Sequence, residues 1–110
     1  MNEIVVLITA GSEVEATKIA RALVEQKLVA CVNVLPGVRS IFQWEGEVTE
    51  EHEWLLMAKT VGQAFDQVAV VVESLHSYHV PEVIALPIQQ GLPEYLSWVR
   101  DATKLTGQTV

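Results

Sequence analysis

Apolar positions along the chain follow two rhythms, and their order predicts the architecture. Residues 3–9 are continuously apolar and β-branched, the pattern of a strand buried on both faces in the middle of a sheet. The run stops at Ala10-Gly11. Ser12 and Glu15 then form a capping box, in which the Ser12 hydroxyl accepts from the Glu15 amide and the Glu15 carboxylate reaches back. Behind it Ala16, Ile19, Ala20, Leu23 and Val24 keep helical spacing and make one apolar stripe, predicting a helix that ends near Lys27.

Residues 28–35 read as a second strand, with Pro36-Gly37 as a bulge or kink rather than an end. The extended pattern resumes over residues 38–44, reverses at Glu45-Gly46, and returns over residues 48–59. Each arm of this hairpin exceeds the usual strand of about five or six residues. A hairpin of that length overhangs a small body, and its unpaired edges are a liability unless another chain covers them.

Thr60 and Gln63 repeat the capping logic before a helix marked by Phe65, Val68, Val72 and Leu75. Val70-Val71-Val72 has strand propensity, but a strand here lacks alternation. Residues 82–88 form a short strand in which Pro87 forces an edge position or an abrupt end. Pro93 sits in the first turn of a last helix whose apolar side is Leu92, Tyr95, Leu96 and Val99. Residues 103–110, small and polar, are expected to fray. The order is that of an α+β, ferredoxin-like βαββαβ sandwich with a long β-hairpin and an extra C-terminal helix, as one domain over residues 1–110.

Composition sharpens this picture. Half of the 110 residues are hydrophobic, a large share for so small a body, which suggests that other subunits cover part of it. The longest apolar runs, residues 4–8 and 68–72, fall far short of the roughly 20 residues that cross a membrane. Met1-Asn2-Glu3 lacks the positive charge that opens a signal peptide. Together with a single cysteine, Cys31, this points to a reducing, cytoplasmic setting. The formal charge of −7 repels phosphate backbones, so nucleic acid is not an expected partner, while cations are attracted only diffusely.

Chemistry concentrates in two places. His76, His79 and Glu82 lie close together where a helix yields to a loop, and imidazole with carboxylate suits Cu(II). The competing reading has His76 capping the last carbonyls of its own helix, with His79 and Glu82 solvated or bonded to backbone. Cys31, mid-strand, is either an inert small hydrophobe or a soft ligand lining a subunit cleft. His52 lies in an acidic stretch as a solvated hairpin residue. Trp44 and Trp54 could pair across the hairpin, and Trp98 could pack on a sheet, on a neighbour or in an aromatic cage. No P-loop, dinucleotide fingerprint or HExxH is present, and no motif orients Cys31 with a histidine, so an enzyme is not expected.

Several strings in order make the chain similar to the CutA family: Ala30 to Asn33, Leu35 to Gly37, Ser40 to Gly46, Lys59-Thr60, His76 to Tyr78, Pro81-Glu82, Leu86 to Ile88 and Tyr95 to Trp98. The resemblance runs from Ile4 to about Ala102. It implies a ferredoxin-like fold, a homotrimer assembled through the long hairpin, an architecture like that of the PII signalling proteins, and a role in tolerance of divalent metals, copper above all, with no catalysed reaction. The family's copper-binding description uses a first-strand cysteine and two adjacent histidines. Here those positions carry Ile8 and Leu75-His76. The expectation is a trimer in metal homeostasis with weak contact to Cu(II) or another divalent cation. The alternatives are a PII-like module binding a small anion or metabolite in a cleft near Cys31, Lys59, Tyr78 and Glu82, and a structural scaffold for a partner protein.

Overall fold

In the computed structural model, which describes residues 2–105, four strands form one sheet in the order β2-β3-β1-β4. The strands are β1 (Glu3–Ala10), β2 (Cys31–Trp44), β3 (Glu47–Val61) and β4 (Val83–Pro87). The helices are α1 (Glu13–Glu25), α2 (Phe65–Leu75) and α3 (Pro93–Ala102). All three strand pairings are antiparallel. As the apolar run predicts, β1 is internal, and β4, with Pro87 at its end, lies at an edge.

Strand alternation divides β1 between two faces. Ile4, Val6, Ile8 and Ala10 are buried against α1 and α2 together with Leu56 and Ala58 of β3. The α1 stripe supplies Ala16, Ile19, Ala20 and Leu23, and α2 supplies Val68 and Val72. Val24 departs from the expected stripe and is 41% exposed. The helix ends with Lys27 at φ 59°. There the Lys27 amide bonds the Val24 carbonyl and the Leu28 amide bonds that of Leu23, a left-handed cap that closes the last turn.

Two capping expectations are corrected. The Ser12 hydroxyl does accept from the Glu15 amide at 3.2 Å, but the Glu15 carboxylate turns away to the Ser77 amide at 3.0 Å. Thr60 caps no helix. It belongs to β3, is fully buried, and its hydroxyl donates to the Leu28 carbonyl at 2.6 Å, while a 3-10 turn (Gly62–Ala64) leads into α2.

β2 and β3 form the long hairpin. The turn at Glu45 (φ 51°) and Gly46 (φ 80°) is left-handed at both central positions, which suits the twist of a two-residue hairpin. A register shift between Leu35 and Val38 sets Pro36 and Gly37 against Trp54 alone, the expected bulge. Below the bulge β3 also pairs with β1; above it, from Val38↔Glu53 to Trp44↔Glu47, the two strands pair only with each other. Those seven pairs stretch about 24 Å beyond the body. The molecule is accordingly 48 Å long, and its radius of gyration, 14.6 Å, exceeds the value of about 13 Å for a compact chain of this length.

The tryptophan pair expected across the hairpin is absent. Trp44 stands opposite Glu47 and Trp54 opposite Ala10 of β1. The bulge exchanges the faces of β2, so the two indoles sit on opposite sides of the hairpin and far apart along it.

α3 lies across the second face of the sheet. Val99 is fully buried there, outside the main core, and Arg100 reaches Glu3 at 3.3 Å. Residues 103–105, expected to fray, are tied down instead: Thr103 is buried with its hydroxyl on the Val99 carbonyl at 2.8 Å, and the Lys104 amide bonds the Lys27 carbonyl at 2.7 Å. The fraying expected of residues 106–110 lies outside the described residues.

Candidate functional site

The second face of the sheet carries the first group of chemically capable side chains. Cys31 and Lys59 are direct cross-strand partners, and Asn33, two residues along β2, shares their face. The Lys59 ammonium donates to the Asn33 carboxamide. From α3, the Tyr95 hydroxyl lies 3.7 Å from the Cys31 sulfur. That contact, with burial second, pushes the Tyr95 phenol above its usual range. Trp98 stacks at a tilt on Tyr95, centroids 5.6 Å apart, and remains 46% exposed. Ile84 and Leu86 continue this face on β4, opposite Leu7 and Val5, and are about half exposed.

The second group gathers at the other end of β1. His76, just past α2, is wholly buried as a side chain. Its Nε2 lies 2.6 Å from the Thr9 carbonyl, and its Nδ1 accepts from the Tyr78 amide at 3.0 Å. A carbonyl can only accept and an amide can only donate, so the ring carries its proton on Nε2. Glu15 Oε1 is 3.5 Å from Nδ1 and, though buried, has no hydrogen-bond partner. The Tyr78 ring packs on His76 with centroids 4.5 Å apart, and its hydroxyl donates to buried Glu53 at 2.8 Å. Burial, the Glu53 hydrogen bond and the charges of Glu53, Glu51 and Glu15 all push the Tyr78 phenol well above its usual range.

Within one chain this placement separates His76 from the other two residues of the expected metal set and divides the expected cleft set in two. His76 does not share an outward face with His79. Its nitrogens serve β1 and the Tyr78 backbone, whereas His79 is exposed in a groove between α2 and β4 with Phe65 and Val83, and Glu82 is exposed. Among the described residues no three His, Cys, Asp or Glu side chains come together as a metal-holding group. Nor does His76 cap its own helix through its ring; it caps the end of β1. Of the cleft set, Cys31 and Lys59 meet, while Tyr78 is tied to Glu53, six residues further along β3, or about 20 Å at strand rise. Glu82 lies at the Tyr78 end, next to the Val83↔Ile8 pair. One chain therefore separates the four residues into two groups.

Sequence reasoning missed Asn33, Tyr95, Glu15 and Glu53 as members of these groups. Asn33 was reachable from the two-residue period of β2. Glu15 and Glu53 carried no signal, because each meets its partner only through tertiary contacts more than 20 residues distant.

Comparison with known proteins identifies the family to which this fold belongs. The family model for the CutA1 divalent ion tolerance protein matches residues 4–102. The chain is 54% identical over 101 residues to the divalent-cation tolerance protein CutA of Thermus thermophilus, spanning 92% of this chain and 98% of that one. It is 43% identical over 103 residues to the human protein CutA, spanning 94% of this chain but only 58% of the human one. The crystal structure of CutA1 from Oryza sativa superposes with a TM-score of 0.92 at 39% identity, covering 94% of this chain and 95% of that one. The solved Thermus thermophilus Cut A1 gives 0.91 at 53% identity over 93% and 99%. Sequence and backbone fold thus agree, and the chain belongs to the CutA1 divalent ion tolerance family.

Proposed function

We propose that the protein acts in divalent-cation tolerance as a cytoplasmic homotrimer that binds rather than catalyses. The observation that carries this reading is the free hairpin arm. It exposes Ile41 (63%), Trp44 (62%) and Val48 (79%), and among the described residues no third strand lies beside them. A two-stranded ribbon of that length is marginal in water by itself. Its apolar residues and the half-exposed Ile84 and Leu86 on the sheet's second face are surfaces that sister chains would cover.

Contact with Cu(II) is weak in this reading. It is drawn by the charge of −7 rather than held by His76, whose nitrogens are in use. Light scattering tests the assembly: a particle of three times the 12.2 kDa chain supports it, and one of 12.2 kDa overturns it. Cu(II) titration followed by EPR should give weak, heterogeneous binding. A tight signal at one copper per chain would overturn that part.

One observation favours a second reading, a PII-like module for a small anion. Lys59, Asn33, Cys31 and Tyr95 present an amine, an amide, a thiol and a phenol together on the face that assembly would enclose. Stabilisation that grows with the concentration of an organic anion supports it. A flat response across a panel of nucleotides and carboxylates removes it.

A further inference from the structure

We propose that His76 and Glu15 form a proton-operated latch on the segment leading from α2 into the edge strand β4, a device independent of the assembly and metal readings above. The geometry holds one arrangement and contains the parts of another. In the arrangement observed, neutral His76 donates from Nε2 to Thr9 and accepts the Tyr78 amide at Nδ1. Glu15 Oε1, buried and without a partner, faces that same Nδ1 from 3.5 Å. A buried carboxylate oxygen left unpaired is costly. Protonation of Nδ1 turns the ring into a donor at both nitrogens. The new N–H has an acceptor waiting in Glu15, and the Tyr78 amide loses its own. The exchange replaces a neutral hydrogen bond by a charge-assisted one and frees the backbone at Tyr78.

The ionisable groups packed around the ring come from three elements. Glu15 approaches from α1. Tyr78, from the segment itself, is neutral and bonded to Glu53 of β3, and Glu51 lies further along β3 within electrostatic reach of Tyr78. Among the described residues Glu15 is the one charged side chain within ion-pair distance of His76. Thr9 contributes only its carbonyl, which bonds Nε2–H in both arrangements. The Ser77 amide stays on Glu15 Oε2, so the segment is loosened at Tyr78 rather than released.

The test follows imidazole and amide together. NMR of the three histidines gives the His76 titration, with His52→Ala and His79→Ala used for assignment. Over the same range, Tyr78 amide exchange is measured relative to its intrinsic rate. The expected result is that protection of the Tyr78 amide falls about tenfold between about pH 8 and about pH 5.5, in step with the His76 signal. In Glu15→Gln the acid-dependent loss of Tyr78 amide protection should shrink, because the new N–H no longer meets a carboxylate. A His76 that stays neutral throughout, a Tyr78 amide indifferent to its protonation, or an equal loss of protection in Glu15→Gln each overturns the latch. Should that variant not fold, the coupled titration of the unaltered protein decides alone.

Discussion

The Tyr78 hydroxyl donates a 2.8 Å hydrogen bond to Oε2 of Glu53, the residue at which β3 leaves the sheet and enters the free arm. Both tyrosines of the chain are held neutral, Tyr78 by burial and Glu53, Tyr95 by Cys31 and burial. Ultraviolet titration should therefore find both tyrosines ionising above the usual midpoint of about pH 10. Because the folded state keeps protons that the unfolded chain releases, stability is whole below that pH and falls as pH rises past it. Glu53→Gln should bring Tyr78 part of the way back toward its ordinary range, burial keeping the rest. A normal midpoint in the unaltered protein would contradict the contact.

The hairpin turn offers a purely conformational test. Gly46 adopts φ 80°, and a Cβ there would meet no atom within 4 Å. Gly46→Ala should therefore cost only the backbone strain of a left-handed residue, about 1–2 kcal/mol. Thermal unfolding at one fixed protomer concentration measures it, and an unchanged Tm would mean that the turn differs from the one described.

Thr60 sits wholly buried with its hydroxyl on the Leu28 carbonyl. Thr60→Val keeps the shape and removes the donor, leaving that carbonyl unsatisfied at a cost of about 1–3 kcal/mol. Thr60→Ser should retain most of the bond. Equal losses in the two variants would show that packing, not the hydroxyl, decides.

Leu56 is fully buried opposite Ile8 in the middle of the main core. Leu56→Ala should lower stability by about 2–5 kcal/mol. The same truncation at Val48, 79% exposed on the arm, should leave the unfolding of an isolated chain nearly unchanged and act instead on self-association. Comparing unfolding with light scattering for the two variants separates body from arm.

What the sequence made readable was whatever depends on near neighbours. The β1 run, the α1 stripe, the Pro36-Gly37 bulge and the Glu45-Gly46 reversal are short-range patterns, and each appears where the spacing places it. Thr60 and Glu15 misled because a capping residue and a residue bonded across the fold look alike in one dimension. Thr60 is drawn to Leu28, 32 positions away, and Glu15 to Ser77, 62 positions away. The tryptophans misled because a two-against-one bulge reverses the faces of every later residue of β2. His76 was noticed for its chemistry, yet its ring had already been claimed by Thr9, which only the packing of α2 beside β1 could reveal.

The step at Pro36 and Gly37 has a bearing on how copies of the chain can add to one another. It gives the outer margin of β2 two docking frames that are out of phase. A straight incoming strand aligned with residues 31–35 falls out of step from residue 38 onward, and Pro36 offers it no amide. Only a visitor with its own matching jog, or two separate short ones, can run the full margin. Unlimited stacking into fibres is frustrated at that joint, and a chain lacking the extra residue would lose the safeguard.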